Sequence, residues 1–147
     1  MLHHVQQIVA ELAASERTGA KLRKRAMELL SNLPGYDWCG VYRLEGETLI
    51  LDEYVGVSTE HGRIPVGSGV CGTAVAENRN QIVDDVQGLE NYLSCSLETR
   101  SEIVVLIRDR DLILGQIDID SHSPSAFGPD DERLLRAIAA ILAQAWA

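Results

Sequence analysis

Three thiols and a set of closely spaced carboxyl groups are the residues in this chain best suited to chemistry. Cys71 lies in a glycine-punctuated run, RIPVGSGVCGTAVA from Arg63 to Ala76. Gly67, Gly69 and Gly72 allow a tight turn and close backbone approach, and Val70, Ala74 and Val75 supply the apolar side of a short helix. A thiol in the first helical turn sits among unpaired amides, which favour the thiolate, so Cys71 is a redox or ligand-binding candidate. The competing reading is a small buried cysteine that helps the helix pack. Further on, GQIDIDS from Gly115 to Ser121 alternates like a strand, with Gln116, Asp118 and Asp120 on one face and Ile117 and Ile119 on the other. Two carboxylates crowded on one face tend to retain a proton, available for acid catalysis or for holding an ammonium group. A solvent-facing strand would give the same pattern. Glu102 opens the neighbouring strand and is placed to face the same side. Cys95 falls in a polar stretch from Asp84 to Ser101, and a loop that long in a compact domain is a candidate lid or active-site loop.

The elements that must position these groups follow from periodicity. Leu2 to Ala13 and Ala20 to Leu33 carry apolar residues at helical spacing, Val5, Ile8, Val9 and Leu12 in one stripe and Leu22, Ala26, Leu29, Leu30 and Leu33 in the other. Pro34 and Gly35 stop the second helix. Trp38 to Leu44 and Thr48 to Val55 read as strands joined by a turn at Glu45 to Glu47, with Trp38, Gly40 and Tyr42 on one side and Cys39 and Val41 on the other. Gln81 to Val83 predicts a short strand. Glu102 to Arg108 and Leu112 to Asp120 predict a second hairpin turning at Asp109 to Asp111. Pro129 starts a last helix whose first turn carries Asp130, Asp131 and Glu132, and whose apolar side holds Leu134, Leu135, Ile138, Ile141, Leu142 and Ala145. Hairpins with flanking helices predict an α+β domain, with a central, mostly antiparallel sheet, the N- and C-terminal helices on one face and a loop-covered pocket on the other.

At 147 residues, 46% of them hydrophobic, the chain reads as one domain over 1–147, divided into N-terminal helices (1–35), sheet and active-site loops (36–128) and a C-terminal helix (129–147). A net charge of -9 argues against nucleic acid and anionic membranes. The basic cluster of Arg17, Lys21, Arg23, Lys24 and Arg25 fits a solvated helix face. No apolar run reaches membrane-spanning length and no signal-peptide core opens the chain, so the expected location is cytoplasmic. Three cysteines in a reducing compartment are expected to be free thiols. A zinc site built from Cys39, Cys71, Cys95 and His61 lacks the close ligand spacing of structural zinc, so no metal or cofactor is expected.

The segments DWCGVY (Asp37 to Tyr42), RIPVGSGVCGTAV (Arg63 to Val75), CSLETRSEIV (Cys95 to Val104) and ILGQIDIDS (Ile113 to Ser121) together resemble the free methionine-(R)-sulfoxide reductases, single-domain proteins of the GAF type. The match extends from about Tyr36 onward. RIPVG is shared by many GAF domains and speaks only to fold. The thiol six residues before Ser-Glu-Ile-Val, combined with the Asp-Ile-Asp-Ser end, is more specific.

The resemblance implies a GAF-like fold and thiol-dependent reduction of free methionine-(R)-sulfoxide, with thioredoxin as reductant. Cys95 matches the family's catalytic cysteine, which attacks the sulfoxide sulfur and becomes a sulfenic acid. Cys71 matches a second site cysteine. Glu102, Asp118 and Asp120 match the acids that bind substrate and deliver the proton, and Trp38 and Tyr42 match the aromatic walls around its methyl group. The residues alone rank Cys71 first among the thiols, whereas the resemblance ranks Cys95 first and is followed here. One position departs from the family: its usual recycling cysteine, two residues before Arg63, is His61 in this chain. That leaves Cys71, then Cys39, or an external reductant to resolve the sulfenic acid. A homodimer through the N-terminal helices is expected from the family and from an exposed apolar stripe. The alternative function is a non-catalytic GAF module that binds a small ligand or senses redox state.

Overall fold

Strand alternation and helix stripes combine in a computed structural model that describes residues 2–89, 92 and 97–147. The elements run α1 (Leu2–Ala14), α2 (Gly19–Leu30), β1 (Trp38–Glu45), β2 (Thr48–Val55), β3 (Arg63–Pro65), α3 (Gly69–Glu77), β4 (Gln81–Val83), β5 (Ser101–Asp109), β6 (Leu112–Ser121) and α4 (Pro129–Gln144). A single 3-10 turn, Val86–Gly88, follows β4. The strands form one sheet in the order β3-β2-β1-β6-β5-β4, with antiparallel pairing throughout. The α+β expectation holds. β3 is the element that the sequence reading folded into its glycine-rich turn: three residues carry too little alternation to register, and Pro65 is tolerated because the strand lies at the sheet edge.

The two faces of the sheet bury different layers. Against one, α1, α2 and α4 pack Ile8, Leu12, Leu22, Ala26, Leu30, Leu135 and Ile138 onto Cys39, Val41, Ile103, Val105, Ile107, Ile117 and Ile119. Each such side chain contributes about 1.5–3 kcal/mol when fully removed from water, so this layer is the main source of stability. On the other face, Trp38, Tyr42, Leu49, Ile64, Val70, Cys71, Ala74, Val104 and Leu106 form a second cluster beneath α3.

Two expectations change. The stripe of α1 is not exposed: Ile8 and Leu12 are buried, and Val5 and Val9 pack against the same core. Among the described residues, α2 and α4 are the helices packed against that stripe. Arg23 also leaves the solvated basic face. It is 6% exposed, donates to Asp52 and to the Trp146 carbonyl, and places its guanidinium 4.3 Å from the centre of the Trp146 ring. Asp52 is the residue that a bulge inserts into β2 opposite Val41 and Tyr42, and it also accepts from Arg43 at 3.1 Å. At the other end of α4, Asp131 accepts from Tyr36 at 2.6 Å and from the Gly128 amide at 2.9 Å, closing the helix start.

Candidate active site

Strand register gathers the acids before any loop is considered. β1 pairs Trp38 with Asp120, Gly40 with Asp118 and Tyr42 with Gln116; β5 pairs Glu102 with Asp120 and Val104 with Asp118. Residues directly opposed across antiparallel strands project to the same side. Trp38, Tyr42, Glu102, Gln116, Asp118 and Asp120 therefore share the face away from α1, α2 and α4, as the alternation predicted. That face is dry: Glu102, Asp118 and Asp120 are each 1% exposed, which overturns the reading of a solvent-facing strand.

The aromatic walls are fixed by what surrounds them. A Cβ at Gly40 would lie 2.4 Å from the Trp38 ring, and one at Gly56 would lie 2.5 Å from it, so the indole occupies space that two glycines leave empty. Gly56 also has φ +138, a backbone state that side chains disfavour. The indole N–H donates to the Val57 carbonyl at 2.9 Å, and the ring stacks on Tyr54 at 5.6 Å and 17°. Tyr42 donates through its hydroxyl to the His61 carbonyl at 2.9 Å, so it is the backbone at position 61 that the site uses.

Cys71 takes the expected place in the first turn of α3, buried at 4% exposure. Its sulfur donates to Glu102 Oε2 at 3.8 Å. The thiol therefore faces the acid-bearing side of the sheet through Glu102. Asp118 lies among Glu102, Cys71 and Asp120, whose side-chain hydrogen bonding favours its anion. Burial pushes its carboxyl above the ordinary range, and those hydrogen bonds only partly offset the rise. Burial thus favours the protonated form of Asp118 over its anion.

The structure brings Cys71, Glu102, Asp118, Asp120, Trp38 and Tyr42 to one face of the sheet and places Cys39 on the other. Cys39 is 0% exposed on the helix side of the sheet, where burial pushes its thiol far up. The quartet of Cys39, Cys71, Cys95 and His61 is thus not assembled, and Cys39 is corrected as a resolving thiol. Cys95 lies outside the described residues. A different set of groups is placed to hold a cation: Cys71, Glu102 and Asp118 each offer a ligand atom, all within 4.8 Å of one another.

Two residues join the site that sequence reasoning did not select. Gln116 is fully buried and donates through Nε2 to the Cys71 carbonyl at 3.0 Å, tying β6 to α3. Its signal was parity with Asp118 and Asp120. Tyr92 packs, half-buried, against the cluster that contains Trp38 and Tyr42; its signal was being the lone aromatic in a long polar segment.

A six-stranded antiparallel sheet, with α1, α2 and α4 on one face and α3 over a buried, acid-bearing face on the other, is the architecture of a GAF domain, and the sequence matches the GAF domain family over residues 20–146. The free methionine-R-sulfoxide reductase of Escherichia coli is 39% identical over 123 residues, covering 84% of this chain and 74% of that protein. The structure of the type II free methionine-R-sulfoxide reductase from Thermoplasma acidophilum superposes with a TM-score of 0.82 at 37% identity, covering 92% of this chain and 93% of the other. That of Staphylococcus aureus fRMsr in complex with substrate superposes at 0.87 and 34% identity, covering 97% and 95%. The chain belongs to the free methionine-R-sulfoxide reductases of the GAF domain family.

Proposed function

We infer that this chain is an oxidoreductase that reduces free L-methionine-(R)-sulfoxide to methionine. The observation that carries this reading is the cluster of Glu102, Asp118 and Asp120, buried on the same sheet face as Trp38 and Tyr42 with a thiol, Cys71, at its edge. Reduction of a sulfoxide needs a soft nucleophile at sulfur and a proton on the departing oxygen. Carboxyl groups kept protonated by burial supply the proton, and ionised members of the same cluster hold the substrate ammonium group.

Cys95 is the proposed nucleophile, by its match to the family motif. Its sulfur bonds to the sulfoxide sulfur, and the oxygen takes up a proton from the acid cluster. The S–O bond then breaks as that hydroxyl passes to the Cys95 sulfur and the S–S bond is released, so methionine leaves with its sulfur reduced by two electrons and Cys95 is left as the sulfenic acid. Cys71 condenses with that sulfenic acid, releasing water and forming a disulfide, and a thioredoxin dithiol reduces the disulfide. Cys71 is the resolving thiol in this scheme because it shares the acid face, whereas Cys39 lies across the sheet. The proposed location is the cytoplasm, where thiols stay reduced; among the described residues, no helix is long and apolar enough to cross a membrane. A homodimer is the proposed assembly, through a surface other than the stripe of α1.

NADPH consumption with thioredoxin and its reductase tests the activity. The wild type turns over free methionine-(R)-sulfoxide and Cys95→Ser does not. Equal rates in the two would remove Cys95 from the mechanism, and no turnover in either would favour the non-catalytic ligand-binding module. Mass spectrometry after one equivalent of substrate then reads the resolving step: a Cys71–Cys95 bridge is expected, and a lone sulfenic acid on Cys95 would assign that step to the external reductant.

A further inference from the structure

We propose that Cys71, Glu102 and Asp118 form a binding site for a thiophilic divalent cation, Zn²⁺ being the natural probe, and that the ion and the sulfoxide substrate compete for it. One sulfur and two carboxylate oxygens converge within 4.8 Å, from the first turn of α3 and from the paired strands β5 and β6. The 3.8 Å between Cys71 Sγ and Glu102 Oε2 is close to the edge of a zinc tetrahedron, roughly 3.5 Å for bonds of about 2.0–2.3 Å. All three residues are more than nine-tenths buried.

A second observation points into the same place. Asp118 Oδ1 has no hydrogen-bond partner among the described residues, although Asp118 is 1% exposed. A buried carboxylate oxygen left so is costly unless a ligand takes it. Gln116 Oε1, also fully buried, is likewise without a partner among the described residues and adds a neutral oxygen donor on the same face. Sulfur with oxygen donors suits zinc better than magnesium or calcium, which take oxygen ligands alone. Binding displaces the thiol proton and any proton on the two carboxyl groups, and the ion takes their place. The sequence spacing gave no warning, since the ligands lie 31 and 16 residues apart and meet only through sheet register.

Titration of the reduced, full-length chain with Zn²⁺, followed by calorimetry, is expected to give one bound equivalent. Cys71→Ser and Asp118→Asn weaken it by about 10–100-fold. Cys39→Ser leaves it unchanged. Loss of binding in Cys95→Ser with retention in Cys71→Ser would overturn the site. A competition on the wild type avoids variants that fail to fold: saturating methionine-(R)-sulfoxide should displace the ion, and simultaneous binding of both would overturn the proposal. Co²⁺ in place of Zn²⁺ is expected to show a thiolate charge-transfer band that Cys71→Ser lacks, and its absence in the wild type would refute thiolate ligation. These readouts are independent of turnover, so failure of the reductase reading and failure of the cation site are separately visible.

Discussion

At the scale of single residues, the site is defined by the protonation that burial imposes on Asp118. Its carboxyl ionises less readily in the folded chain than in the unfolded one. Above the ordinary carboxylate range the unfolded state has lost a proton that the native state still holds, so this group's contribution falls as pH rises through that window. Asp118→Asn cannot titrate and should keep its stability there. The variant is expected to be more stable than wild type at neutral pH, with the gain vanishing in acid. Thermal melts at several pH values would read this; a variant less stable at neutral pH would mean the carboxylate is stabilised as the anion. Its turnover should fall by about 100-fold or more if the cluster supplies the proton.

At the scale of elements, the indole of Trp38 is held by β1 and by the turn after β2. Gly40→Ala inserts a methyl group where the ring already lies, at 2.4 Å, and such overpacking costs about 1–3 kcal/mol. Because the indole is proposed to flank the substrate's methyl group and is no proton donor, KM for the sulfoxide should rise several-fold while kcat changes less. Steady-state kinetics separates the two, and a fall in kcat alone would give the indole a different role. The elements also show what sequence could deliver. Period-two alternation placed Trp38, Tyr42, Asp118 and Asp120 on the correct faces, because a strand's geometry is local. Whether that face meets water depends on α3 and the segments around it. No local pattern could therefore say that Asp118 and Asp120 are dry, that Gln116 reaches Cys71, or that Gly40 and Gly56 seat the indole.

For the molecule as a whole, stability and chemistry are assigned to opposite faces of one sheet. Arg23 belongs to the stabilising side, where it joins α2 to the β2 bulge and to the C-terminal residues after α4. Arg23→Ala removes one partner of a nearly buried ion pair and is expected to cost about 3 kcal/mol by urea unfolding, with KM for substrate unchanged. A changed KM would mean that the two faces are mechanically linked. In sequence, Arg23 was indistinguishable from Lys21 and Lys24, which are exposed. Its burial follows from Asp52 and Trp146, 29 and 123 residues away, a relation that helical periodicity does not encode.

The enclosure of Cys39 gives the protein a built-in reporter. A maleimide in solution can reach that sulfur only after the helical layer has come off the strands, so the slow phase of alkylation in native buffer should run at the rate of global opening. In Arg23→Ala the same phase should accelerate, turning one silent atom into a clock for how often the molecule comes apart.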